Sequence, residues 1–327
     1  MTIPVGVLGV GNMGRHHARV YHELTNAELV GVSDLDTASA ATVADQYGTE
    51  SMSADRLFEI ADAVSIAVPS RYHLEAGTAA LRAGVDTLIE KPIATDIDDA
   101  TRLLAVAESS DALLQVGHIE RFNPAVQTVL EFVDDIDLVA VDARRLGPPI
   151  DENRDIGDGV VLDLMIHDID ILRRLVGADV SEVSALGTPE QHYVTASVGF
   201  ENGVVGSLTA SRATQRKVRE LTLTAKDRLI TVDYIDRSVT IDRRNRPSYL
   251  ADDGDLRYRN ERIVEQPTVD NGEPLKNELV SFLDAVENGT NPVVTGRDGL
   301  EALSLACRIR DAARTERPSI AGPSHAR

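Results

Sequence analysis

Ile3-Pro4-Val5-Gly6-Val7-Leu8-Gly9-Val10-Gly11-Asn12-Met13-Gly14 is the stretch that decides the fold of this chain. Its first six residues form a short apolar run of the kind that makes a buried parallel strand. A glycine-rich turn follows at once, and residues 15–24 then carry helical character. Strand, G-x-G-x-x-G and helix, in that order, are the fingerprint of a dinucleotide-binding βαβ unit. Gly9 permits the tight turn, Gly11 lets the backbone approach a pyrophosphate, and Gly14 lets helix and sheet pack closely. Asn12 and Met13 complete the loop, where the helix N-terminus presents unpaired N–H groups and its positive dipole end.

Residues 28–33 form the next strand, ending in Asp34, 20 residues beyond Gly14. A carboxylate there accepts hydrogen bonds from an adenosine ribose and repels a 2′-phosphate, so NAD is expected over NADP. Asp36 competes for that role but is expected to begin the helix 37–47, which Gly48 stops. Residues 63–68 are a third buried strand closed by Pro69, followed by a helix over 72–83 and a fourth strand over 86–89. A helix over 96–109, capped by Thr95, and a strand over 113–116 complete the first half. Five strands separated by helices imply a doubly wound parallel sheet.

The pattern changes after about residue 122. Residues 138–146 are strand-like until Gly147-Pro148-Pro149, and residues 160–176 read as one long helix ended by Gly177. Segments 193–200, 204–211, 218–225, 230–234 and 239–242 alternate in polarity, with Glu201-Asn202-Gly203 as a hairpin turn. Two helices, 275–287 and 297–315, finish the chain before a tail at 318–327. The expected architecture is α/β plus α+β: a Rossmann domain over residues 1–121, then a mainly antiparallel sheet domain over residues 122–327.

The chain has 327 residues, 43% of them hydrophobic, enough for two cored domains. Fifty-three acids against 33 bases give a net charge of -20, which argues against binding nucleic acid or lying on an anionic membrane. Only four bases are lysines, and 32 aspartates outnumber 21 glutamates. That balance suits the salt-loaded cytosol of a halophile, where screening blunts self-repulsion; a GC-rich genome favouring Arg is the plainer alternative. The single Cys307, in an apolar stretch, excludes an internal disulfide and fits a reducing compartment. With no apolar run long enough for a membrane span and no charged leader, a soluble cytoplasmic protein is expected.

Two places carry chemistry. Glu90-Lys91-Pro92 ends the fourth strand, at the edge where open α/β sheets bind ligands. A snorkelling surface lysine is the bland alternative. Asp163 and His167 lie four apart on a helix, so the carboxylate would fix the imidazole's tautomer and raise its basicity. A solvated helix face, or a metal site built from Asp163, His167 and Asp170, are the competing readings; no second His or Cys at ligand spacing supports the metal.

The glycine loop, Asp34, the Val68-Pro69-Ser70-Arg71-Tyr72-His73 turn, Glu90-Lys91-Pro92, Gly117-His118 and the Asp163/His167 helix together resemble the glucose-fructose oxidoreductase/inositol dehydrogenase family. The resemblance covers nearly the whole chain. It implies an NAD(P)-dependent dehydrogenase of sugars or polyols with an open-faced β-sheet domain, oligomerising through that sheet. Gly117-His118-Ile119-Glu120-Arg121-Phe122-Asn123-Pro124, Arg144-Arg145-Leu146-Gly147-Pro148 and residues 163–170 look like its branch that oxidises UDP-N-acetylglucosamine at C3.

The resemblance implies His167 as base, oriented by Asp163, and Lys91 as donor to the hydroxyl oxygen; Lys91 as base is the competitor. Pro69, Ser70, His73, Glu90, His118 and Asn123 are placed near the cofactor, while His16 and His17 read as helix-surface residues or neighbours of the nucleotide. A substrate diphosphate needs a cation, with Arg121 and Arg154 first and Arg144 or Arg145 behind them. No metal is expected. A dehydrogenase of free sugar or inositol, and a non-catalytic NAD- and sugar-sensing regulator, are the other readings.

Overall fold

The computed structural model describes residues 2–149, 159–244, 248–252, 255–259 and 262–314. The first half runs β1 (Ile3–Leu8), α1 (Asn12–Glu23), β2 (Ala27–Ser33), α2 (Thr37–Tyr47), α3 (Ala54–Ile60), β3 (Ala63–Ile66), α4 (His73–Arg82), β4 (Asp86–Glu90), α5 (Ile97–Glu108) and β5 (Leu114–Gly117). The strands form one parallel sheet in the order β2-β1-β3-β4-β5. This is the doubly wound half expected from the alternation, with the order reversing beside β1, where the glycine loop leaves the sheet. The short α3 carries no sequence expectation; Ser53 caps it by accepting from the Arg56 N–H. Asp36 begins α2 as expected, accepting from the Ala38 and Ser39 N–H groups. Asp96, not Thr95, caps α5: it lies one residue nearer the first turn, and its carboxylate accepts from the Asp99 N–H at 2.8 Å.

The second half contains α6 (Pro124–Leu130), β6 (Leu138–Leu146), α7 (Ile166–Val176), β7 (Val180–Gly187), β8 (Tyr193–Phe200), β9 (Val205–Ser211), β10 (Val218–Ala225), β11 (Arg228–Asp233) and β12 (Ser238–Arg244). After these come β13 (Ser248–Asp252), β14 (Asp255–Arg259), β15 (Arg262–Glu265), α8 (Pro274–Asn288) and α9 (Gly296–Arg314). Eight strands make a mixed sheet, β15-β12-β11-β10-β6-β9-β8-β7, antiparallel except where β6 runs parallel to β9. The helix expected over 160–176 is interrupted: Val161–Met165 form a π-helical turn before α7 takes over.

Alternation along the sheet sends Val141, Ala143 and Arg145 of β6, Leu208 and Ala210 of β9, and Leu221 and Leu223 of β10 to one face. That face packs on α7, through Ile169 and Leu172, and on α9. No described residue outside the sheet covers the other face, where Leu186, Val205 and Leu229 are exposed. The two halves share a core: Leu275, Leu279, Phe282 and Leu283 of α8 are buried with Val5, Val7, Val20 and Tyr21 of the first sheet and α1. Gly299 of α9 sits so close to β5 that a Cβ there would lie 2.7 Å from Val116. The return of the last helices onto the first sheet fixes the cleft between the sheets.

Candidate active site

The glycine loop has the geometry its sequence requires. Gly9 has φ of 91°, and a Cβ there would lie 2.8 Å from the Ala67 backbone. A Cβ on Gly14 would fall 1.7 Å from the Gly9 carbonyl oxygen, so the first turn of α1 packs directly on the loop. Gly11 meets nothing within 4 Å, leaving its surface open. No side chain caps α1, so the N–H groups of Asn12, Met13 and Gly14 at its first turn are presented to a ligand. Asp34 sits beside this loop: one carboxylate oxygen accepts the Val10 N–H at 2.7 Å and the other the Asp36 N–H at 2.9 Å. These residues fit a dinucleotide, with the pyrophosphate on the open glycine and the ribose at Asp34.

At the carboxyl edge of β4, Glu90 is buried and lies 2.9 Å from His17 Nε2. Burial raises the Glu90 carboxyl's pKa, but the His17 hydrogen bond and charge, with that of Lys91, overcome it and hold it below its ordinary value. Gly117 faces Glu90 across β5, and a Cβ there would come within 3.3 Å of Glu90 Oε2. His16 is exposed as expected, but His17 is fully buried, because it shares the inner face of α1 with Gly14, Ala18 and Tyr21.

Lys91 reaches from the first domain to the π-helical turn of the second. Its Nζ donates to the Asp163 carbonyl oxygen at 2.7 Å and to Asp163 Oδ1 at 3.2 Å. Arg212, just past β9, pairs with the other carboxylate oxygen. The expected Asp163–His167 pair is therefore replaced. Both Asp163 oxygens face cations, and the i→i+5 bonding of a π turn breaks the i,i+4 stacking on which the expectation rested. The metal arrangement of Asp163, His167 and Asp170 is not assembled either, since Asp170 is held by Arg121.

His167 is half-buried, and its Nδ1 is buried with no partner among the described residues. Burial drives its pKa well below the ordinary 6.5, and the charges of Lys91 and Arg145 push the same way. It is a neutral imidazole at neutral pH. His118, next to Gly117, is likewise depressed by burial, with both ring nitrogens unpartnered among the described residues. His73 spans two loops, Nδ1 at 2.9 Å from the Pro92 carbonyl oxygen and Nε2 at 2.9 Å from that of Val68. It ties the Pro69-Ser70 turn to the Lys91-Pro92 segment.

Three expected substrate or cofactor contacts are used elsewhere. Arg121 is buried and grips Asp170 with both arms of its fork, Nε to Oδ2 at 2.6 Å and Nη2 to Oδ1 at 2.8 Å. Arg145 does the same to Asp168, at 2.8 Å twice, and reaches Glu120 at 2.9 Å. Neither keeps charge to spare for a diphosphate. Asn123 caps α6, accepting from the Ala125 N–H, and donates to the Tyr234 carbonyl oxygen, so it serves the domain junction rather than a cofactor. Arg144 points to the uncovered face of the sheet, and Arg154 lies outside the described residues. Glu90 and His17 are expected near the nucleotide, but their pairing is not, and Arg212 carries no sequence expectation; in so arginine-rich a chain, one arginine after a strand gives no signal.

Taking a hydride from an alcohol carbon requires a seat for a nicotinamide dinucleotide and a neighbour that handles the hydroxyl proton; the glycine loop fits the first, and Lys91 and His167 have the chemistry for the second. The protein is an NAD(P)-dependent oxidoreductase acting on CH–OH donors. It belongs to the Gfo/Idh/MocA oxidoreductase family: residues 3–118 match the family's NAD-binding Rossmann fold and residues 137–320 its C-terminal alpha/beta domain. It is similar to the UDP-N-acetylglucosamine 3-dehydrogenase of Acidithiobacillus ferrooxidans, 32% identical over 93% of this chain and 95% of that protein. A solved structure of that enzyme superposes with a TM-score of 0.86 at 31% identity, covering 96% of this chain and 98% of that one. The inositol 2-dehydrogenase of Rhizobium meliloti is 30% identical over 98% of this chain and its own full length. Among the described residues, no helix is long and apolar enough to cross a membrane.

Proposed function

We propose that this protein oxidises the 3-hydroxyl of UDP-N-acetylglucosamine or a related UDP-sugar to the ketone, with NAD as cofactor. The observation that carries the reaction is the Lys91 ammonium fixed on Asp163 beside a neutral, half-buried His167. The similarity to the UDP-sugar enzyme along 93% of the chain supports the substrate. NAD, when bound, accepts the hydride from the carbinol carbon. His167 takes the hydroxyl proton, which its neutral ring is able to do. Lys91 donates a hydrogen bond to the same oxygen and stabilises its developing negative charge, and Asp163 holds that lysine in place. Asp34, with its carboxylate at the ribose position, supports NAD over NADP.

The uncovered face of the eight-stranded sheet supports a homo-oligomer. Leu186, Tyr193, Val205, Leu229 and Val264 are exposed on it, among small residues such as Thr195 and Thr209. Oxidation of inositol is the second reading, favoured by the full-length similarity to an inositol 2-dehydrogenase. NADH formation with UDP-N-acetylglucosamine, N-acetylglucosamine and myo-inositol tests the choice. Turnover confined to the unphosphorylated compounds would overturn the UDP-sugar reading.

A further inference from the structure

Three neighbouring strands end in arginines on the face of the sheet that meets α7. In the middle strand, β6, Arg145 is directly opposite Ala210 of β9 and Arg219 of β10. Arg212 lies two residues beyond Ala210 and so turns to the same face. With Lys91 arriving from the first domain, four cations gather at one end of the cleft in a protein of net charge -20.

Among the described residues, their carboxylate partners do not match them in number. Asp163 is shared by Lys91 and Arg212, and Asp168 and Glu120 are both taken by Arg145. Arg219 has none. Its Nη1 donates to the backbone carbonyls of Leu146 at 2.6 Å and Val218 at 2.7 Å, and no carboxylate pairs with it among the described residues. Like charges directly opposite one another on antiparallel strands are destabilising. Arg219 also remains partly accessible, whereas Arg145 is buried. Burial, and then the charge of Arg145, lower the Arg219 pKa to about 10, with Asp168 and Glu120 opposing the shift from a distance. Arg219 is held opposite Arg145, at the end of the sheet where Arg212 meets Asp163.

We propose that Arg219 is the cation that receives the diphosphate of a nucleotide-sugar substrate, the role that Arg121 and Arg145 cannot fill. The inference rests on the UDP-sugar reading for the identity of the anion, but the anion site itself does not. Backbone carbonyls fix one arm of the guanidinium, leaving the rest of the fork for phosphate oxygens. A polyol without charge gains nothing from Arg219, so the residue discriminates between the two substrate classes found among relatives.

The test is binding of UDP alone to the NADH-loaded enzyme, together with steady-state oxidation of UDP-N-acetylglucosamine, for the natural protein, Arg219→Met and Arg219→Lys. Loss of a charge-assisted contact should weaken UDP binding and raise KM by about 10- to 100-fold in the methionine variant, with a smaller change in kcat. Arg219→Lys should recover part of the affinity, and NADH affinity should stay constant in both. If Arg219→Met fails to fold, Arg219→Lys decides: it should bind UDP several-fold more weakly than the natural protein. Oxidation of UDP-N-acetylglucosamine with the same KM in all three proteins would overturn the Arg219 assignment and leave the substrate reading intact. Arg219-dependent binding of UDP without any oxidation of the UDP-sugar would support the anion site and overturn the substrate reading.

Discussion

Lys91 and Asp163 belong to different domains, yet the Lys91 Nζ lies 2.7 Å from the Asp163 carbonyl oxygen and 3.2 Å from its carboxylate. The contact joins the end of β4 to the π-helical turn, so the proposed donor to the substrate hydroxyl is placed by the fit between domains. Arg212 on the other Asp163 oxygen keeps the carboxylate from swinging away. Replacing Lys91 with Met should cut kcat by about a hundred- to a thousandfold, the usual cost of removing one transition-state donor, with NAD affinity unchanged. Titration of NAD against the variant, beside its turnover, checks both halves.

Asp163→Asn should reduce kcat less than Lys91→Met does, because the amide oxygen can still accept from the lysine while its charge is gone. Arg212→Lys should preserve most activity, whereas Arg212→Met should approach Asp163→Asn. Equal kcat for Arg212→Met and the natural protein would show that Arg212 plays no positioning role.

Three histidines, the buried His73 and His118 and the half-buried His167, have pKa values lowered chiefly by desolvation from the ordinary 6.5. The folded state therefore binds fewer protons than the unfolded chain. Their neutral forms cost nothing above about 6.5, and stability is lost as pH falls below it toward the depressed values. Melting temperature should drop between pH 7 and pH 5. The kcat/KM limb set by His167 should lie below 6.5 and fall on acidification.

Glu278 of α8 carries the opposite sign. It is fully buried, both carboxylate oxygens lack a partner among the described residues, and burial raises its pKa well above the ordinary 4.5. Stability is lost as pH rises through that range. Glu278→Gln should raise the melting temperature at pH 8 by about 2–4 °C if it recovers ~1 kcal/mol, and by less at pH 5. An equal shift at both pH values would show that ionisation is not the cause.

Gly14→Ala should abolish NAD binding, because its Cβ would fall 1.7 Å from the Gly9 carbonyl oxygen. Here the sequence was fully legible: glycines at fixed spacing constrain the backbone, and the backbone alone makes the cradle. The parallel sheet, the role of Asp36 and most strand limits of the second sheet were legible for the same reason, since polarity period and turn residues are local signals. The partners of charged side chains were not. Asp163 sits four residues before His167, but a π turn and two distant cations redirect it. Arg121 and Arg145 look like phosphate ligands until Asp170 and Asp168 are seen to neutralise them. Which arginine is left over depends on strand register and on carboxylates from another element, and no window of sequence contains both.

The initial rate of NADH formation on UDP-N-acetylglucosamine, compared with N-acetylglucosamine and myo-inositol at equal concentration, tests the central claim most directly. The expected result is turnover of the UDP-sugar with a kcat/KM at least about tenfold above either uncharged compound, the share one charge-assisted contact supplies. Turnover of N-acetylglucosamine or myo-inositol alone, with none of the UDP-sugar, would contradict it.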